Sequence, residues 1–128
     1  MIVLSLLKFL EDNNLGKIDQ DLFWEKIGLG KNGIYIASVG VPQDRGMRNR
    51  QDYIVYSRGK TDIESYQKLE KIRKFLNNSY DICTLPSVPP VFSREYHNVT
   101  IMPPSSITNV GLDTNGRMVW SFTGTIYY

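Results

Sequence analysis

The sequence predicts an α+β domain: a mostly antiparallel, mixed β-sheet packed against two α-helices, closed by a C-terminal β-hairpin. Three observations predict it. The elements read as helix, two strands, helix, then several strands, and this segregated order does not match the strict alternation of a parallel βαβ array. A central helix carries its own capping signal and paired charges. The stretch from Asn109 to Tyr128 places Asn115-Gly116, residue types that tolerate positive φ, between two strand-like runs.

The N-terminal run Ile2, Val3, Leu6, Leu7, Phe9 and Leu10 forms a wide apolar stripe at helical spacing, ending near Asn13, Asn14 and Gly16. Lys8 interrupts it, Glu11 and Asp12 follow, and neither a basic leader nor a small-residue cleavage site is present, so it reads as a packed helix, neither signal nor membrane span. Leu22-Phe23-Trp24 with Ile27 is an apolar cluster without a clear period. Ile34 to Ser38 carries strand formers. The polar stretch Gly40 to Gln51, with Pro42 and Gly46, is expected to be an exposed, mobile loop.

Tyr53 to Ser57 reads as a buried strand broken by Arg58-Gly59-Lys60. Thr61-Asp62-Ile63-Glu64 then has capping-box order, a hydroxyl at the N-cap and a carboxylate three residues on, each able to satisfy a free backbone N–H. A helix from Asp62 to about Leu76 follows, with an expected inward stripe of Ile63, Tyr66, Leu69, Ile72 and Leu76. Glu64 with Lys68 and Glu70 with Lys74 pair on its wet side. Tyr80 to Leu85 is a further strand, Pro86 to Pro90 a stiff connection, and His97 to Met102 another strand. Pro103 to Ser106 turns the corner into the final hairpin. From Met118 the apolar set Met118, Trp120, Phe122, Ile126 and Tyr128 alternates with polar neighbours, and this last strand is a candidate open edge.

At 128 residues the chain reads as one domain, 1–128, able to bury roughly two-thirds of its unfolded surface without staples. A net charge of +2 is too small to mark a nucleic-acid binder by itself. The basic residues are local: Arg45, Arg48, Arg50, Arg58 and Lys60 stand against only Asp44 and Asp52 between residues 41 and 60. Arg45, Arg48 and Arg50 are therefore the candidate contact residues, for phosphate or for an acidic protein partner. The competing reading is a solvated loop kept polar for solubility.

Little else points to chemistry. The lone Cys83 cannot form an intramolecular disulfide or a multi-cysteine metal site, and reads as a core residue suited to a reducing compartment. Residues Gly28 to Gly33 match a dinucleotide-binding glycine pattern, but that motif must open a helix, and here a strand follows. His97, the only histidine, has no partner in sequence for a relay. The acidic pairs Asp19/Asp21 and Glu11/Asp12 read as solvated charges, and the aromatic residues as core. No catalytic residue, cofactor site or metal site is expected.

Taken together, the N-terminal helix, the Leu22-Phe23 cluster, Tyr53 to Arg58 before a capped helix, Leu85-Pro86, Pro103-Pro104 and Gly111 to Arg117 before a terminal strand resemble the minor capsid and tail terminator proteins of long-tailed bacteriophages. The resemblance spans nearly the whole chain. It implies a non-enzymatic virion protein, assembled in the bacterial host cytoplasm. Such proteins close as a ring, usually a hexamer, on the head-proximal end of the tail tube. There they stop polymerisation and join the tail to the head's connector, with DNA later passing through. The implied partners are copies of itself, the tail tube protein and the head completion protein, with no membrane. A different head–tail connector and, more remotely, a small nucleic-acid-binding module are the alternatives.

Overall fold

A computed structural model describes the backbone of residues 2–25, 31–45, 48–79, 83–89 and 94–128, and the side chains of these except 41–45. The elements, in chain order, are α1 (Ile2–Asp12), β1 (Leu22–Trp24), β2 (Gly33–Arg45), β3 (Arg48–Arg58), α2 (Asp62–Asn77), β4 (Cys83–Leu85), β5 (Tyr96–Ile101), β6 (Thr108–Leu112) and β7 (Met118–Tyr127). The seven strands form one mixed sheet in the order β1-β2-β3-β7-β5-β4, with β6 paired beside β5 on β7. Only β1 with β2 is parallel among these strand pairs. The α+β class is therefore the observed one.

Period-two alternation sorts the central strands into two faces. Register aligns Ile36, Val55 and Phe122 on one face and Ala37, Ile54 and Thr123 on the other. The first set is buried beneath both helices, which cover the same side. α1 contributes Ile2, Val3, Leu6, Leu7 and Leu10, and α2 contributes Leu69, Ile72 and Leu76. Phe9 and Phe75, 5.4 Å between ring centroids, join the helices. Ser5 sits within the apolar face of α1 because its hydroxyl donates to the Pro86 carbonyl at 2.8 Å, so the group is not buried unsatisfied.

The capping box forms in its N-cap half: the Thr61 hydroxyl accepts the Glu64 N–H at 3.1 Å. Both i,i+4 ion pairs are present, Lys68 to Glu64 at 3.0 Å and Lys74 to Glu70 at 3.3 Å. The inward stripe is narrower than the sequence suggests. Ile63 is 71% exposed and Tyr66 38%, whereas Ser65 is fully buried. The cause is the tight β3–α2 connection, in which the Ser57 hydroxyl donates to the Ser65 carbonyl at 2.7 Å and turns the first turn of α2 so that Ser65 faces the sheet.

Other expectations are corrected. The stretch from Gly40 to Gln51 is not a loop: β2 and β3 run on as a hairpin through Arg45↔Arg48, with a bulge between Val39 and Gln43. Only residues 46–47 at its tip lie outside the described residues. The buried Gln51 side chain reaches the Val39 and Gly40 carbonyls at 3.4 Å each, supplying donors where the ladder is broken. The terminal strand is interior, since β3 flanks one side of β7 and β6 and β5 the other. Nor is its polar face wet throughout, because Ser121 is buried. Leu22 to Trp24 resolves as a short strand, Ile27 and Tyr80 to Ile82 lie outside the described residues, and Cys83 is half-buried against the core. Burial raises the Cys83 thiol above its ordinary pKa.

Tyr53 crosses the core face of β7 at Gly124, its direct cross-strand partner. Any Cβ at position 124 would overlap the Tyr53 ring and hydroxyl. The hydroxyl itself is buried and has no hydrogen-bond partner among the described residues, and burial raises its pKa well above the phenol value. Two opposite outcomes follow for chemical denaturation. Gly124→Ala is expected to lose about 2–3 kcal/mol through overpacking, whereas Tyr53→Phe, which removes only the unpaired hydroxyl, costs less than about 0.5 kcal/mol or stabilises.

Candidate interaction surface

The three arginines singled out from the sequence lie at the outer end of the β2–β3 hairpin, Arg45 directly opposite Arg48. The side chain of Arg45 is outside the described residues. Arg48 is spent on the fold: its Nη2 donates to the Asn98 carbonyl at 2.6 Å, the Thr100 hydroxyl at 3.0 Å and the Tyr127 carbonyl at 3.1 Å. It thereby clamps the outer end of the hairpin to β5 and β7, next to the backbone pair that Asn49 makes with Tyr128. Arg50 turns back to Asp52 at 3.1 Å, and Asp52 also accepts from the Thr125 hydroxyl at 2.7 Å. Two of the three charges are thus engaged within the domain.

A second cluster escaped the sequence reading. Arg58 ends β3, and its Nε and Nη2 both donate to the Lys31 carbonyl, at 3.0 and 2.6 Å. Asp113 faces it across the β6–β7 turn, 3.5 Å from Arg58 Nη1 and 3.2 Å from Arg117 Nε, with all three side chains at most 15% exposed. Arg117 adds a bond to the Asn32 side chain at 2.9 Å. The signal in sequence was small: an acid four residues before a base, flanking Asn115-Gly116.

Asp113 also builds the turn. Its Oδ1 accepts the Asn115 and Arg117 N–H groups at 2.9 and 2.8 Å, and its carbonyl accepts the Gly116 N–H at 3.1 Å. Gly116 alone takes a positive φ in this turn, +76°, so the loop is longer than a two-residue Asn-Gly hairpin. The Arg117 N–H is the main cause that holds the Asp113 carboxyl below its ordinary value; the Asn115 N–H and the two guanidinium charges add to it against some desolvation.

The sheet face away from the helices is open. It curls, so that Tyr35, Ala37, Ile54 and Tyr56 floor a groove whose far wall is Val110 and Leu112 of β6. The groove encloses about 860 Å³. Tyr35 and Tyr56 stack at 4.6 Å, and partial burial raises the Tyr35 hydroxyl above its ordinary value. Val39, Val110 and Leu112 along this groove are 47%, 55% and 68% exposed. His97 is exposed, 3.8 Å from Glu95, and away from this groove. Glu11 is more than a solvated charge: it accepts from Lys8 at 2.6 Å and from the Ile18 N–H at 2.7 Å, and these contacts lower its pKa.

No family model and no curated protein matches this chain. Its surfaces must therefore speak through their own chemistry. Among the described residues no group of three or more His, Cys, Asp or Glu side chains is placed to hold a metal ion. No described helix is long and apolar enough to cross a membrane.

Two measurements separate the role of Arg48 from that of Arg50. Arg48→Ala is expected to cost about 1.5–3 kcal/mol in denaturant unfolding, the scale of hydrogen bonds to a charged group. It should also speed amide exchange at Asn49 and Tyr128, whereas Arg50→Ala leaves both readouts unchanged. The Asp113 contribution is full above its ordinary pKa of 3.8 and is lost as pH falls through the lower folded-state value. Thermal unfolding of Asp113→Asn should show a shallower acid limb than the wild type.

Proposed function

We propose that this chain is a structural protein of a long-tailed phage virion, closing as a ring on the head-proximal end of the tail tube, where it ends tail polymerisation and joins tail to head. The resemblance of its turns, caps and strands to tail terminators supplies the class. The observation that carries the reading is the uncovered groove opposite the helices: a domain with a complete core on one sheet face holds apolar surface in reserve on the other, as a subunit of a larger assembly must. On this reading the chain acts by shape, without catalysis or a cofactor.

Six copies closed head to tail would repeat the tip of the β2–β3 hairpin around one axis. The outer end of that hairpin, which carries Arg45, Arg48 and Arg50, would then meet the tail tube or passing DNA. The partners are copies of the chain itself, the tube protein and the head completion protein. The protein would reside in the virion after assembly in the host cytoplasm.

Deleting the gene from its phage is expected to give tails of uncontrolled length that fail to attach to capsids, seen by electron microscopy and restored by expression in trans. Tails of uniform length joined to heads in the deletion strain would refute the role.

A further inference from the structure

Two Asn-Gly dipeptides occur in the chain, Asn32-Gly33 and Asn115-Gly116. In such a pair the backbone nitrogen of the glycine can attack the asparagine side-chain amide, because no side chain stands in its way. The fold treats the two pairs differently. At Asn115 the nucleophile is occupied, since the Gly116 N–H donates to the Asp113 carbonyl at 3.1 Å. At Asn32 the electrophile is primed instead: its Oδ1 accepts from Arg117 Nη1 at 2.9 Å, so a cation stands where the addition step develops an oxyanion. Asn32 is exposed, and Gly33 is the terminal pair of the β2–β3 ladder, opposite Arg58, so fraying of one pair frees its nitrogen. Packing itself demands the glycine, because a Cβ at position 33 would overlap the Asp21 carbonyl.

The surroundings also favour the product. Among the described residues Asp113 is the one carboxylate within ion-pair distance of Arg117, and it is shared with Arg58. Arg117 Nε and Nη2 are buried and find no hydrogen-bond partner among the described residues. The second arm of the Asn32 amide is an NH2 donor and cannot serve these donors. The second arm of a carboxylate is an acceptor and can.

We propose that residue 32 is a self-modification site, at which the chain converts Asn32 to an acid with Arg117 as the activating cation. The Gly33 nitrogen bonds to the side-chain carbon of Asn32 and gives up its proton. The bond from that carbon to the amide nitrogen breaks, and the nitrogen leaves with the proton as ammonia. Water then opens the resulting succinimide, leaving aspartate, or isoaspartate where the ring opens at the backbone carbonyl. Nothing is oxidised or reduced; water is consumed and ammonia released. The neutral partner of Arg117 becomes an anion, and isoaspartate in addition lengthens the main chain by a carbon just before β2. The inference stands independently of the assembly role proposed above.

Peptide mapping by mass spectrometry tests it on the purified chain held at neutral pH and physiological temperature. The mass gain of an amide turned acid is expected at residue 32 ahead of residue 115. Arg117→Met should slow the gain at 32 by about tenfold to a hundredfold, the factor that a hydrogen bond to a charged group is worth, with no slowing at 115. Asn32→Asp installs the product directly and keeps the test decisive if Arg117→Met does not fold. It is expected to raise the thermal unfolding midpoint by about 2–5 °C through its pairing with Arg117, and by less in the Arg117→Met background where that protein folds.

No gain at residue 32, a gain at 115 that outpaces it, a rate at 32 that is unchanged or faster in Arg117→Met, or an Asn32→Asp variant no more stable than the wild type would each overturn the proposal.

Discussion

The register of β3 against β7 is the constraint on which the rest of this structure depends. The ladder runs without a shift from Arg50↔Tyr127 to Arg58↔Val119, and it decides which side chains meet the helices. A slip by one residue would lift Val55 and Phe122 out of the core and push Ile54 and Thr123 into it. Tyr53 locks the register from one side, since its ring needs the one position on β7 that lacks a side chain, Gly124. Asp113 and Arg58 lock the far end, where the turn before β7 is tied by charge to the last residue of β3.

From that register the two surfaces follow. The helices bury the centre of one face, where Ile36, Tyr53, Val55 and Phe122 are at most 1% exposed. Among the described residues no element covers the other face, yet its central residues are Tyr35, Ala37, Ile54 and Tyr56 rather than charges. Sequence puts apolar residues on both sides of β2 and β3, which in an antiparallel sheet with one wet face would be a poor choice.

Much of the fold was legible because it is written locally. α1 declares itself by its stripe, and α2 by Thr61, Glu64 and the spaced Glu–Lys pairs. The core strand of Tyr53 to Ser57 is a run of β-formers bounded by a break. What escaped is what depends on neighbours. Pro42, Gly40 and Gly46 read as a loop, yet a bulge at Val39, with Gln51 supplying donors, lets the hairpin continue past them. A period-two pattern reports which face a residue takes and says nothing of which strands flank it, so β7 looked terminal and was central. Ile63 and Tyr66 fit a helical stripe, but a serine pair, Ser57 and Ser65, fixed the first turn by hydrogen bonding instead. Of the arginines, clustering in sequence was visible, whereas the carbonyls that capture Arg48 come from residues some fifty and eighty positions away.

The outer strand carries one more consequence. β6 is an open edge of five residues, but its pairing is broken between Asn109 and Gly111, where Gly111 takes a φ of +116°. A kinked margin offers a poor template for backbone-to-backbone growth. Backbone pairing of another chain along β6 is thus disfavoured, and a contact at this margin falls to its side chains.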